Sequence, residues 1–404
     1  MNTPIQDSIQ HHSALMQQVN DFVYSNPELG YEEDQCAQYL VGVLRDLGLD
    51  VDWPFAGIRT SFKATLTSSQ GGGPSVGLVM LYDAVPAVDE DGSYLPNHSC
   101  GHSVISGAVV GAVAALTDVP RAGSVTVIGL PGDEIGAPQV AQRGGSKALT
   151  AAGGEWDAFD AVYYAHPEFD NTVSQVSRWM ERYRLSLHSP RNLEQHGEQD
   201  GSVLWTVQAM LSEVRSMEER HTQEFVMVKN VSVNGDVETD CRISAHMQIL
   251  LFGLTNADVA QRVAELETAV ATVSADAQIR IDLQRIGKPY MGVVPNQTLT
   301  RVVQQTMADM QLDVLTDPEP LPFATDFGNI SRRAPSALIG TGRQGGWQFH
   351  NLEGDREFQS ADGQQVMIVT AEVLARAITA FWEDPGIVVQ ARTDFEANIG
   401  GASP

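Results

Sequence analysis

The sequence predicts an α/β protein, a large wound mixed-sheet domain interrupted by a ferredoxin-like βαββαβ insert. Three observations carry this. Compact apolar runs, "SVGLVMLYDA" (75–84), "SVTVIGLPGDE" (124–134) and "DAVYYAHPE" (160–168), alternate with stretches of helical period. Buried strands separated by helices are the pattern of a wound sheet. Near residue 181 the order becomes strand, helix, strand, strand, helix, strand, and after 288 the first pattern returns. The expected organisation is a discontinuous main domain, 1–180 and 289–404, and an insert, 181–288.

Each element has a local reason. "ALMQQVNDFVY" and "DQCAQYLVGVLRDLG" place apolar residues at helical spacing, with the turn-rich "SNPELGYEE" between them. "VISGAVVGAVAAL" is rich in Ala, Val and Gly, which suits a closely packed helix. In the insert, "RYRLSLHS" reads as a strand, "GSVLWTVQAMLSEVRSME" as a helix, and "EFVMVKNVSV" and "CRISAHMQILLFG" as strands. "NADVAQRVAELETAVATVSA" is a helix with Asn256 as its expected N-cap, and "QIRIDLQRI" closes the insert. "VVPNQTLTRVVQQTMADM" and the strand "SALIGTG" belong to the returning α/β pattern.

Composition narrows the function. A net charge of −26 argues against nucleic acid or an anionic membrane as partner and says little else; it is compatible with a small-molecule substrate met by a local basic residue. The N-terminal "MNTPIQDSIQHHSALMQQ" has no apolar core of a secretory signal, and no run is expected to reach the length of a membrane span. Cys36, Cys100 and Cys241 lie too far apart to suggest a disulfide framework. A cytoplasmic location is the expectation.

The ionisable residues collect at strand ends. Asp83 ends "GLVMLYDA", Asp133 and Glu134 follow "VTVIGLPG", His166 ends "AVYYAH", and His350 lies a short loop beyond "ALIGTG". "NHSCGHSVIS" adds His98, Cys100 and His102. Ligands of open α/β sheets bind beyond the carboxyl ends of strands, so one sheet edge can gather these groups. Cysteine, imidazole and carboxylate suit zinc or another first-row divalent metal. A bare "DE" or "HP" is commonly a solvated loop; their recurrence at successive strand ends weighs against that reading.

These motifs, in this order, resemble peptidase family M20, the aminoacylase/carboxypeptidase-type metallohydrolases, and in particular its amidohydrolase branch. "NPELGYEE", "YDAVP", "HSCGHS", "PGDEIGAP", "AHPE" and the late "ATDFGNIS…FHN" carry the likeness over essentially the whole chain. Position by position, the resemblance implies that Cys100, His102, Glu134, His166 and His350 ligate zinc, manganese or a similar divalent ion, one or two per subunit. Asp83 would orient a ligand imidazole, and Asp133 would be the proton-carrying base. His98 would be a hydrogen-bonding loop residue. The family also implies a homodimer, or a higher homo-oligomer, paired through the insert.

Four positions depart from the family. Asp133 replaces its glutamate base, and Ser103 replaces an aspartate. Asn192, flanked by His188 and His196, stands where a histidine would cross a dimer interface to polarise a carbonyl, and Gln248 stands where an arginine is expected. The expected cage is kept while groups that stabilise an amide oxyanion are changed, and such donors are worth a few kcal/mol each. The leading expectation is therefore hydrolysis of a C–N bond other than a peptide: release of ammonia from an electron-poor aminoaryl acid, as in 5-nitroanthranilate to 5-nitrosalicylate. An N-acyl amino acid amidohydrolase or dipeptidase is the alternative, and an inactive metal-binding assembly protein a third. Trp347 is a candidate to line a flat pocket, with Phe349 and Phe323, and Arg343 to meet a substrate carboxylate, with Arg285 and Arg182 as other choices.

Overall fold

The computed structural model describes residues 3–88, 91–188, 202–220, 225–236, 240–277 and 279–400. In chain order, α1 (Pro4–His11), α2 (Ser13–Ser25) and α3 (Asp34–Asp46) precede β1 (Asp50–Asp52), β2 (Phe62–Leu66), β3 (Ser75–Leu81) and the pair β4 (Val85–Val88) and β5 (Tyr94–Asn97). Then come α4 (His102–Thr117), β6 (Ser124–Leu130), α5 (Pro138–Arg143), α6 (Ser146–Gly153) and β7 (Ala161–Glu168). The middle of the chain forms β8 (Trp179–His188), α7 (Ser202–Glu219), β9 (Val226–Asp236), β10 (Asp240–Gly253), α8 (Asn256–Ala277) and β11 (Arg280–Arg285). The last stretch holds α9 (Gln297–Asp309), α10 (Phe327–Ile330), β12 (Ser336–Gly342), a 3-10 turn (Gly354–Gln359), α11 (Ala361–Glu383) and α12 (Pro385–Gly400).

The chain divides into two units, one of Met1–Val176, Val293–Pro320 and Asp326–Pro404, the other of Ser177–Gly292 and Leu321–Thr325. The reading from sequence cut at 180/181, inside β8. The physical boundary lies outside that strand because Met180 and Tyr290 exchange backbone hydrogen bonds of 2.9 and 2.8 Å, which tie the two chain crossings together. Phe323 O accepts from Arg178 N at 3.2 Å, so a short later segment joins the smaller unit, which strand patterning did not reveal.

The larger unit is built on a six-stranded sheet of order β1-β2-β6-β3-β7-β12. β6, β3, β7 and β12 run parallel, while β1 and β2 pair antiparallel along one side, so the sheet is mixed. The parallel strands are buried almost throughout, as expected of a sheet covered on both faces. Leu81 pairs with Leu130 and Gly340 with His166, which brings the carboxyl ends of β3 and β6, and of β7 and β12, level.

Helix α4 has no polar face, and residues His102 to Leu116 are all buried. It packs between β3 and the helices α2 and α11. A Cβ at Gly107 would sit 2.4 Å from Met367 Sδ and 2.9 Å from Met16 O, so the close approach requires glycine. Helix α11 is long and apolar enough to cross a membrane by length and composition, which corrects the expectation that no run would reach that length. Two-thirds of its apolar stretch is instead buried, against α4 among others.

The smaller unit is a four-stranded antiparallel sheet of order β11-β8-β10-β9, the ferredoxin-like arrangement. Alternate residues Leu185, Leu187, Met247 and Ile249 enter a core shared with Val207, Met210, Leu266 and Val270 of α7 and α8. Helix α8 is capped one residue earlier than expected. Thr255 Oγ1 accepts from Asp258 N at 3.2 Å and Asp258 Oδ2 accepts from Thr255 N at 2.7 Å, a reciprocal capping box that takes the role assigned to Asn256.

Candidate metal centre

The site grows from the turn that starts α4. Gly101 is left-handed at φ 81°, and a Cβ there would lie 2.7 Å from Phe358 and 2.9 Å from Pro167. This tight turn sets the Cys100 thiol and the His102 imidazole on one side. Cys100 Sγ lies 3.5 Å from His166 Nε2, contributed by the end of β7, and 3.4 Å from His350 Nε2. His350 adopts φ 56° and its N–H donates to Ser99 O at 3.0 Å, which docks the loop after β12 onto the cysteine turn. Glu134 Oε1 is 3.5 Å from His350 Nε2 and 4.0 Å from His102 Nε2.

Two groups of donor atoms mutually within 4.8 Å result, Cys100–His102–His166 and Cys100–Glu134–His350, with the thiol common to both. His102 Nε2 and Glu134 Oε1 are buried without a hydrogen-bond partner among the described residues. An orphaned imidazole nitrogen and carboxylate oxygen beside a thiol fit a divalent transition metal, which would satisfy them. His98 belongs to neither group. Its ring is buried, which pushes its pKa down to about 3, and its backbone N–H donates to Asp355 at 2.7 Å.

Asp83 organises the loops around these donors. His102 Nδ1 lies 2.8 Å from Asp83 O and 2.9 Å from Asp83 Oδ1, which aims Nε2 at the cluster. Burial lowers the proton affinity of His102, but Asp83 and the other carboxylates overcome it and push the imidazole up to about 9. Asp83 Oδ2 accepts from Asp133 N and Glu134 N at 2.8 and 2.9 Å, so one carboxylate fixes both the histidine and the Asp133–Glu134 turn.

The "NPELGYEE" stretch has a structural role. Glu33 Oε1 accepts from Tyr31 N and Gly132 N, both at 2.9 Å, and Oε2 accepts from Thr60 Oγ1 at 3.0 Å. Glu33 thereby braces the turn that carries Asp133, and burial, with Asp83 nearby, raises its carboxyl well above the usual range.

Behind Asp133 stands a residue that sequence reading missed. Lys147, at the start of α6, is fully buried; its Nζ contacts Asp133 Oδ1 and lies 3.0 Å from Asp326 Oδ1. Asp326 Oδ2 in turn accepts from Ala148 N at 2.9 Å. Asp133 Oδ2 is left on the other side, 3.7 Å from His102 Nε2. Burial disfavours an ionised Asp133, but the Lys147 ammonium and neighbouring imidazoles outweigh it and hold the carboxyl below its ordinary range.

The two substrate-binding candidates are otherwise engaged. Arg343 reaches Glu357 at 2.7 Å, Asp362 at 3.1 Å and Gly346 O at 2.6 Å, so its charge is already matched by carboxylates. Trp347 is buried, stacks on Phe358 at 4.6 Å and lies under the Arg343 guanidinium at 4.3 Å. Together they buttress Phe358, which underlies Gly101, in place of the substrate-carboxylate contact expected of Arg343 and the pocket lining expected of Trp347. Phe349 and Tyr164 are aromatics beside the donors, their rings 5.9 and 6.1 Å from that of His166. Arg182 is buried and donates to Tyr290 Oη at 3.0 Å, and Arg285 lies 3.7 Å from Glu181. Asn192 and His196 lie outside the described residues.

Thiol, imidazole and carboxylate donors gathered at the carboxyl ends of a parallel sheet mark a metal-binding protein of the α/β class. Residues 82–380 match the profile of Peptidase family M20/M25/M40, and the chain belongs to that family. It is 23% identical over 411 aligned positions to the mouse (Mus musculus) Xaa-Arg dipeptidase, covering 93% of this chain and 88% of that protein. A shorter stretch of 177 positions is 27% identical to one of the subunits of Escherichia coli p-aminobenzoyl-glutamate hydrolase, covering 41% of this chain and 34% of that one. Among solved structures, a dinuclear metal-binding M20 peptidase from Bacillus subtilis shares the fold with a TM-score of 0.69 at 14% identity, covering 93% of this chain and 99% of that one. An aminobenzoyl-glutamate utilization protein from Klebsiella pneumoniae does so with a TM-score of 0.68 at 16% identity, covering 95% and 100%. The protein is a metal-dependent hydrolase acting on carbon–nitrogen bonds of small molecules.

Proposed function

We propose that the chain releases ammonia from an electron-poor aminoaryl acid, in its specific form converting 5-nitroanthranilate to 5-nitrosalicylate. Cys100, His102, Glu134, His166 and His350 are the residues that would hold the metal. When bound, the metal lowers the pKa of water and polarises the bond under attack. Asp133 then accepts the proton of the attacking water at Oδ2. The C–O bond forms at the amine-bearing ring carbon, negative charge passes into the ring and its withdrawing substituent, and the C–N bond breaks as Asp133 returns the proton to nitrogen. Water in and ammonia out balance the reaction.

One observation carries this reading. The base is an aspartate pinned from behind by Lys147, which sets its free oxygen back by about one bond length, ~1.5 Å, from where a glutamate would reach. That leaves room suited to an exocyclic amine on a flat ring. Ring substitution also makes no demand on a carbonyl oxyanion donor. The second reading, an N-acyl amino acid amidohydrolase or dipeptidase, is favoured by the names of the mouse and Escherichia coli relatives.

The deciding experiment incubates the metal-loaded protein with aminoaryl acids, N-acyl amino acids and dipeptides, and assays ammonia against free amino acid. Ammonia from 5-nitroanthranilate or a similar acid is the expected result; amino acid release alone establishes the second reading. A cytoplasmic location is part of the same proposal, from the wide spacing of the three cysteines in the sequence.

A further inference from the structure

We infer that Lys147, anchored by Asp326, is a positioning residue that fixes the Asp133 carboxylate so that a single oxygen, Oδ2, is presented for proton transfer. The inference rests on Asp133 being the proton carrier of the proposed reaction. Three charges form a chain leading inward: Asp133, part-buried with its side chain 19% exposed, then the buried Lys147 at 1% and Asp326 at 0%. A carboxylate on so short a side chain has a broad, nearly two-fold torsion about its last bond and presents either oxygen with similar ease. Lys147 removes that freedom by occupying Oδ1.

The lysine is itself immobilised twice. Nζ lies 3.0 Å from Asp326 Oδ1, while Asp326 Oδ2 accepts from the N–H of Ala148, the next residue along α6. The Tyr164 ring, 5.4 Å from Nζ, closes the remaining side. The main chain of Asp133 is separately held by Asp83, so both ends of the residue are fixed. Burying a lysine and two carboxylates carries a desolvation cost that well-packed apolar residues would avoid. A cost of that kind beside the reacting groups is explained by a demand on geometry.

The test compares Asp133→Asn, the pair Lys147→Met with Asp326→Asn, and all three changes together, using the panel compound that turns over fastest. Removing Asp326's charge along with the lysine avoids leaving that carboxylate buried and unpaired. Rates are normalised to metal content and folded fraction. The expected result is a kcat loss of about 10²-fold for the lysine pair, the scale of a displacement near 1 Å, with KM little changed. Asp133→Asn loses about 10²–10⁴-fold, and the triple variant is no slower than Asp133→Asn alone, because residues acting as one unit are not additive.

If Asp133→Asn collapses while the lysine pair keeps a near wild-type kcat, Lys147 is not a positioning residue and the base assignment stands. Multiplying losses in the triple variant also overturn the inference, since the lysine then acts elsewhere. A near wild-type Asp133→Asn overturns both the inference and the role of Asp133. Should the paired variant fail to fold, Lys147→Arg keeps the charge while altering its geometry. It is expected to lower kcat about tenfold on the same displacement argument, again without multiplying the Asp133→Asn loss.

Discussion

Cys100 is the residue on which the candidate centre turns, because both donor groups contain its thiol. Removing the metal with a chelator is expected to abolish turnover, and adding manganese or zinc to restore it; activity in rigorously metal-free protein would sink the assignment. Cys100→Ser should lower metal affinity and, with it, thermal stability. A ligand held at a hundredfold excess over Kd stabilises by about 2.7 kcal/mol, and that increment disappears with the metal. Asp133→Glu restores the family's base and reaches one methylene further. It is expected to raise amide hydrolysis relative to ammonia release, as measured on the two substrate classes side by side. An unchanged ratio would show that the base does not set substrate choice. The donor residues could be picked out because each lies at or beyond the end of a strand and their order matches a known motif series. Lys147 was not. "GGSKALT" reads as an ordinary helix start, and its buried pairing depends on Asp326, brought close only by the fold.

Elements were legible where apolar period and length agreed, as in β3, β6, β7 and α4. The short strands β1 and β2 and the pair β4–β5 were not, since a few alternating residues are equally consistent with loop. The expected cap at Asn256 failed for a related reason: the residue before it, Thr255, makes the reciprocal bond with Asp258. One helix start in the larger unit offers a pH test. Asp394 of α12 accepts from Thr298 N at 3.0 Å and from Thr298 Oγ1 at 2.7 Å, supplying an anion at the first turn of α9. Burial opposes its ionisation, but these bonds and one from Gln390 outweigh that and hold the carboxyl below its ordinary value. A depressed folded-state pKa contributes stability that is present above the unfolded value and lost as pH falls through the folded one. Asp394→Ala should therefore cost about 1–2 kcal/mol near neutral pH. The gap from wild type should close in acid, below the ordinary carboxylate range, as followed by denaturant unfolding at each pH. A gap that stayed constant into acid would show that the carboxylate is not the source.

At the scale of the whole molecule, the exposed apolar surface of the smaller unit bears on assembly. The smaller unit leaves β9 at the edge of its sheet, and Met227, Val231 and Val233 on that strand are each about two-fifths exposed. On α7 of the same unit, Leu204 is 53% and Trp205 70% exposed. An uncovered apolar edge strand is a pairing hazard that proteins manage by covering it, and a symmetric partner is the common cover. The net charge of −26 works against any self-association, so a stable pair must bury enough apolar surface to win, on the order of 1,000 Å² or more in total. We expect a homodimer through this unit. Light scattering at micromolar protein and moderate salt should report twice the chain mass of 43.7 kDa. Adding salt should tighten the pair, since it screens the repulsion while leaving the apolar contact intact. Trp205→Glu together with Val231→Lys should yield a monomer whose larger unit still binds metal, because neither side chain belongs to that unit. A wild-type monomer under these conditions would end the proposal. A dimer untouched by the two substitutions would move the interface away from α7 and β9.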